Sequence, residues 1–154
     1  MSLESKIRLN LWVVIVGLLF SGTTAIPLRR EVESLTYFFQ GQSQISIWLA
    51  SVRDALVEID QRFPFLNYGT DWLAFAHFVI AIAFIGPLRD PVKNIWVVEF
   101  GMIACALIVP YALTMGAIRG IPFGWRLIDC SFGVIGIIPL WLCRCAIKDL
   151  SRRG

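Results

Sequence analysis

The sequence has few of the groups on which most soluble enzymes depend. Its 154 residues include a single histidine, and only 16% of them are charged. It has no phosphate-binding glycine loop, no H-E-x-x-H or G-x-S-x-G motif and no zinc-ligand spacing. No basic face with interleaved aromatic residues accompanies the net charge of +3, so nucleic acid is not an expected partner. No metal site is predicted, and no cofactor can be assigned.

Apolar residues, in contrast, make up 57% of the chain, which is more than a soluble domain of this length could bury. Four stretches with almost no charge approach the roughly 20 residues that cross a hydrocarbon core about 30 Å thick. The sequence therefore predicts an all-α integral membrane protein, a four-transmembrane-helix bundle that forms one transmembrane domain over residues 1–154. The predicted spans are Leu9–Ile26, Thr70–Leu88, Ile95–Ala117 and Phe123–Cys143.

The first span also has features of a cleavable signal peptide. Lys6 and Arg8 precede its apolar middle, and small residues that include Thr23 and Ala25 follow it. Three further spans follow in the sequence, and multi-span proteins commonly keep their first helix as an anchor. We therefore expect the first segment to be retained.

Basic residues predict the orientation of the bundle. An even number of spans places the two chain termini and the 89–94 loop on one side, where basic residues outnumber Glu4, Asp90 and Asp149. In the 27–69 segment and the 118–122 loop, basic and acidic residues are balanced. Both termini are therefore predicted to be cytoplasmic. The basic residues of that side are Lys6, Arg8, Arg89, Lys93, Arg144, Lys148, Arg152 and Arg153.

One amphipathic helix is predicted in the long connection between spans 1 and 2, over about residues 44–62. Its apolar residues recur every three or four positions, which is the helical period. The helix could lie along the membrane surface or cover the bundle, or its apolar stripe near Trp48 could dock a membrane-protein partner. The stripe consists of Ile45, Trp48, Leu49, Val52, Leu56 and Ile59.

Polar residues within the spans predict a common layer in the outer half of the bundle. At about 1.5 Å rise per residue, His77 lies roughly 10 Å and Asp129 roughly 9 Å from the outer ends of their helices. Thr24 and Tyr111 lie within about one turn of that level. Lipid-facing ionisable groups are costly, so His77 and Asp129 are predicted to face the bundle interior. Small residues on the same stripes support this prediction: Ala74 and Ala81 beside His77, and Gly133 and Gly136 beside Asp129.

The layer is predicted to form a ligand pocket in which His77 pairs with Asp129. Arg126 lies three residues before Asp129, and Arg119 and Asp71 lie near the same outer rim. An arginine-lined mouth would attract a small anionic ligand or a lipid headgroup. The alternative is that His77 only fixes helix register through a hydrogen bond.

Glu99 is a second intramembrane ionisable site. It lies about 6 Å from the cytoplasmic start of the third span, too far from His77 for direct contact. Lys93 or Arg144 could reach it, which would make it a satisfied carboxylate, and a cation or proton relay site is the alternative. Cys143 and Cys145 form a C-x-C pair that could be acylated, could bind zinc weakly with a partner, or could have no role.

Three functions are therefore considered. The first is binding of a small molecule or lipid headgroup in an outward-facing polar pocket. The second is an accessory or scaffold subunit of a larger membrane complex. The third is an enzyme that uses a His77 and Asp129 acid-base pair, and it has the least support because no nucleophile or metal set accompanies the pair.

Overall fold

The computed structural model describes residues 2–153, and they form helices joined by short turns. Four helical segments are long and apolar enough to cross a membrane, as the sequence predicts. The all-α, four-span architecture is thus confirmed. The helices are α1 (Leu3–Ala25), α2 (Leu28–Phe38), α3 (Gln44–Arg62), α4 (Tyr68–Ala83), α5 (Ile85–Arg89), α6 (Ile95–Ile118) and α7 (Phe123–Ser151), with a 3₁₀ turn at Pro64–Asn67.

The first and last helices extend beyond their apolar runs. Helix α1 begins at Leu3, because the Ser2 side chain caps it by accepting a hydrogen bond from the Ser5 backbone N–H at 3.2 Å. Helix α7 continues past Cys143 to Ser151. Hydropathy marks the part of a helix that lies in lipid, whereas the helix itself can continue into water.

The second span is interrupted near its end. Pro87 has no N–H, and its ring would collide with the carbonyl of Ala83 in a continuous helix. Helix α4 accordingly ends at Ala83, and α5 begins two residues later. Pro110 and Pro139 instead lie within α6 and α7 without ending them, as membrane helices often tolerate.

Helix α1 packs to a similar extent against α4 and α7, and α6 packs most extensively against α7. Small residues allow the close approach of α1 to α4 and of α6 to α7. Gly22 of α1 lies against Ala74 and Phe78 of α4, and Gly133 of α7 lies against the Cys105 carbonyl of α6. The small-residue faces predicted from the sequence are thus helix-packing faces.

The main cluster of buried apolar side chains lies in one half of the bundle. We call the end that holds residues 3 and 151 and the 90–94 turn the tail end, and the opposite end the connector end. The fully buried cluster belongs to the tail half of every span, so this half holds the bundle together. It contains Ile7, Leu11, Ile15, Ala81, Phe84, Val97, Val98, Leu140, Cys143, Ala146 and Ile147.

Helices α2 and α3 form the connector between spans 1 and 2. The predicted bounds of α3 are confirmed at Gln44–Arg62, where the Ser43 side chain caps its first turn. Helix α2 was not predicted, because it is short and four of its first six residues are charged. Its Val32 is buried, and α2 packs mainly against α3.

Helix α3 lies across the connector end of the bundle. Near its start, Ile45 lies 3.0 Å from the position a Cβ would take on Gly124, and the Trp48 and Trp125 rings are 5.0 Å apart. At its other end, the Asn67 side chain, just before α4, hydrogen-bonds Asp60. Leu49 is 1% exposed. Helix α3 thus packs mainly on α2 and the 3₁₀ turn and touches the start of α7, while its predicted role stays a prediction.

Candidate binding cleft at the connector end

His77 does not form the predicted pair with Asp129. Its Nδ1 lies 2.8 Å from the Leu73 carbonyl oxygen of its own helix. Within residues 2–153, no hydrogen bond or ion pair joins the His77 ring to the Asp129 carboxylate.

The two residues do not meet because their stripes of small residues pack against different helices. The stripe of His77 packs through Ala74 against α1, whereas the stripe of Asp129 packs through Gly133 against α6. A stripe of small residues shows that a face packs closely, but it does not show which helix covers that face. The inference that both residues face a common interior does not follow from such stripes.

The hydroxyl groups near this level bond to their own helices. The Thr24 Oγ1 donates to the Ser21 carbonyl at 3.0 Å, and the Thr114 Oγ1 donates to the Pro110 carbonyl at 2.7 Å. Tyr111 is exposed beside an apolar groove on the surface of α6. Hydroxyls can thus be satisfied within a single helix, so their common depth does not indicate a network.

Arg126 contacts α6 and not Asp129. Its side chain lies over Gly116, one guanidinium nitrogen is 3.4 Å from the Leu113 carbonyl, and the Phe123 ring centroid is 5.4 Å from its Cζ. Its Nε is buried and has no partner in the described part of the chain.

The other two residues of the predicted mouth are exposed. Arg119 ends α6, and Asp71 lies beside the Tyr68, Trp72 and Phe75 side chains at the start of α4. Neither forms an ion pair with a described residue. The predicted pocket residues therefore share a region of the bundle but are not joined by direct polar contacts.

Glu99 makes one of the two contacts suggested by the sequence. Its carboxylate accepts a hydrogen bond from the Arg144 Nε at 2.8 Å, which joins α6 to α7. Lys93 pairs instead with Asp90, at 3.6 Å. Glu99 is therefore a satisfied carboxylate in this structure.

Cys143 is 1% exposed, and its Sγ lies 4.0 Å from the Ile7 carbonyl. Cys145 is only partly buried. An acyl group or a metal ion could not reach Cys143 without separating α7 from α1. The contacts at the C-x-C pair thus favour packing for its first member.

The connector encloses a cleft of about 520 Å³ where α1, α2, α3 and the start of α4 meet. Its walls combine apolar and charged side chains at the level where α1 ends. They are formed by Ile26, Pro27, Leu28, Arg29, Arg30, Glu33, Leu56, Asp60, Asn67 and Thr70.

Arg29 holds the walls of this cleft together. Its guanidinium donates to Glu33 at 2.8 Å within α2 and to Asp60 at 3.1 Å on α3. The hydrogen bond from Arg29, followed by that from Asn67, holds the pKa of Asp60 below its ordinary value of 3.8. Because these hydrogen bonds are made by the ionised carboxylate, the clamp is intact above pH 3.8 and weakens as the pH falls through the lowered pKa.

Arg30 is the second arginine in the cleft wall, and its charge is not neutralised by an ion pair with a described residue. It is exposed, and no described carboxylate lies within 4.0 Å of its charged nitrogens. From the sequence alone, Arg30 is one of the basic residues that balance the acidic residues of the 27–69 segment. The signal that could have identified it is the "PLRRE" segment, residues 27–31, which places two arginines directly after a span.

Comparison with known proteins does not add a family to these observations. No protein-family model matches the chain, and no curated protein and no solved structure is significantly similar to it. What the fold itself establishes is an integral membrane protein with four candidate spans and a helical connector between the first two.

Proposed function

We propose that this four-span membrane protein binds an anionic small molecule or lipid headgroup in the connector cleft. One observation carries the proposal: the cleft presents the unpaired guanidinium of Arg30 beside an apolar wall. A guanidinium binds phosphate or carboxylate oxygens well, because its N–H groups form two parallel hydrogen bonds.

The apolar wall favours an amphiphile over a fully polar anion. Ile26, Leu28 and Leu56 offer contact to a hydrocarbon group, while Arg30 offers contact to the charged head. The cleft begins at the residue after α1 ends, which is where lipid headgroups meet a transmembrane helix. The proposed function thus keeps the ligand class expected from the sequence and moves the site into the connector.

The predicted pocket residues have a smaller part in this proposal. Arg119 and Arg126 lie at the same end of the bundle, and their positive charges would raise the local concentration of anions. The proposal assigns no ligand contact to His77, Asp129, Asp71, Thr24 or Tyr111.

Native mass spectrometry of the protein, gently extracted from its membrane, tests this function. The wild type is compared with Arg30→Ala, and Arg53→Ala is the matched control. Arg53 is partly exposed, with 41% of its side chain accessible, but it pairs with its neighbour Asp54 at 2.7 Å and does not line the cleft. We expect the wild type and Arg53→Ala to retain a small molecule or anionic lipid that Arg30→Ala loses at least tenfold.

Equal retention by Arg30→Ala and the wild type would exclude the connector cleft as the site. A His77→Ala variant distinguishes the two locations. Loss of the bound mass in His77→Ala, with retention in Arg30→Ala, would place the site in the helix interior as the sequence suggested.

The alternative functions have less support from the contacts. Docking of a partner through the α3 stripe would need Trp48 and Leu49, but Trp48 packs against Trp125 and Leu49 is buried. An acid-base reaction would need His77 and Asp129 to act together, and they share no hydrogen bond. A second polypeptide in the mass spectrum would favour the accessory-subunit function.

A further inference from the structure

An uncharged apolar tip joins α2 to α3. We define the tip as residues 35–43, "LTYFFQGQS", which contain no charged residue although the start of α2 just before them is rich in charge. Tyr37, Phe38 and Phe39 are 73%, 78% and 48% exposed. Gly41, at φ 140°, turns the chain in a conformation that side chains disfavour. Tyr37 and Phe38 end α2 and Phe39 caps it, so three large aromatic side chains are exposed just before the turn at Gly41.

The packing of α3 holds the tip near the start of α7. Ile45 contacts Gly124, the second residue of α7. Ile45 lies six positions after Phe39, and even a fully extended chain of that length reaches only about 20 Å. On the other side, α2 is joined to α1 by two residues. The tip is consequently tethered within about 20 Å of the α7 contact, and the 11-residue α2 separates it from the end of α1.

Other exposed aromatic residues mark the same end of the bundle. Phe65 and Tyr68 are 69% and 61% exposed around the start of α4, and Phe123 is 55% exposed at the start of α7. Trp72 is 54% exposed one turn further along α4. Aromatic residues concentrate where membrane proteins cross from hydrocarbon to headgroups, so this end of the bundle has the side chains of an interface.

We infer that the tip inserts into the bilayer that surrounds the bundle, in the leaflet at the connector end, with Tyr37 and Phe38 at the boundary between headgroups and acyl chains. Two observations favour lipid over a protein partner. The tether places the tip beside span ends, and the tip has no charge with which to orient a protein. Burial of two such rings is also favourable in a lipid interface.

Insertion would hold α2 flat against the membrane beside the bundle. If the proposed function is correct, the mouth of the cleft then lies at headgroup level, and its ligand enters from the leaflet. This consequence rests on the proposed function, whereas insertion of the tip does not.

Photo-crosslinking tests the insertion directly. The photoreactive analogue p-benzoylphenylalanine replaces Phe38 in the full chain, which is reconstituted in nanodiscs of phosphatidylcholine and phosphatidylglycerol at about 3:1. The same replacement at Asp54, whose side chain is 68% exposed on α3, is the matched control. After irradiation, we expect adducts with the mass of one phospholipid at least fivefold more often at position 38 than at 54.

Equal lipid adducts at the two positions, or a covalent dimer at position 38 in place of lipid, would overturn the inference. A protein adduct that replaces the lipid adduct in native membranes would also overturn it. Replacement of Tyr37 provides a second test if the first variant does not fold. Arg30→Ala is not involved in this experiment, so failure of tip insertion and failure of the proposed function can be distinguished.

Discussion

At the scale of single residues, glycines determine how closely the spans approach. A Cβ added to Gly133 would collide with the Cys105 carbonyl oxygen and would lie 3.2 Å from the Ile108 Cβ. A backbone carbonyl cannot move aside as the end of a flexible side chain can. Gly17 on α1, in contrast, has nothing within 4 Å of its Cβ position.

We expect Gly133→Ala to destabilise the bundle by about 1–3 kcal/mol, because the added methyl group would force α6 and α7 apart. Gly17→Ala should be neutral or slightly stabilising, since alanine is the better helix former. Thermal unfolding in detergent measures both. Equal stability of the two variants would show that the contact at Gly133 relaxes without cost.

At the scale of elements, an ion pair supports the α6 and α7 packing at the tail end. Glu99 and Arg144 are both only partly exposed, with 41% and 31% of their side chains accessible. An ion pair in such a position lies between the exposed pairs that contribute little and the buried pairs whose disruption is costly. Lys93 and Asp90 form a nearby pair in which the lysine side chain is 84% exposed.

Arg144→Ala is expected to lower stability by about 1–3 kcal/mol, because Glu99 would lose its partner in a poorly hydrated site. Lys93→Ala is the control and should cost less than about 0.5 kcal/mol. The charge-reversed double variant Glu99→Arg with Arg144→Glu should recover at least half of the loss in thermal unfolding. No recovery would mean that Arg144 acts through its packing and not through its charge.

At the scale of the whole molecule, the fold places residues 3 and 151 and the 90–94 turn at one end, as the predicted orientation requires. Which side of the membrane this end faces is still a prediction from the basic residues. Fusion of green fluorescent protein after residue 153 should give fluorescence in bacterial cells, and alkaline phosphatase fused there should be inactive. Active phosphatase would reverse the orientation and place the connector cleft on the cytoplasmic side.

Structural features that depend on a single stretch of the chain could be predicted from the sequence. Span length follows from the hydrocarbon thickness, and the period of α3 follows from its own stripe. The contact between Glu99 and Arg144 could be anticipated, because a carboxylate near a span end attracts the nearest available base. The break at Ala83 was not predicted, although Pro87 supplies its cause.

Features that depend on how two distant parts of the chain pack together were predicted less well. The sequence places His77 and Asp129 at similar depths, but depth does not determine which helices are neighbours. The cleft is formed by α2, which was not predicted, together with parts of three other elements. Its location depends on how α3 lies across the bundle, and that follows from contacts such as Trp48 with Trp125.

The contact between α1 and α7 joins the first span to the last. Leu11 is fully buried in a cluster that includes Cys143 and Ile147, near the opposite end of the chain. Because α1 is synthesised before α7, this part of the buried face of α1 can be covered only after the last span has been made. A chain cut short before α7 would therefore leave Leu11 without its neighbours from the last helix.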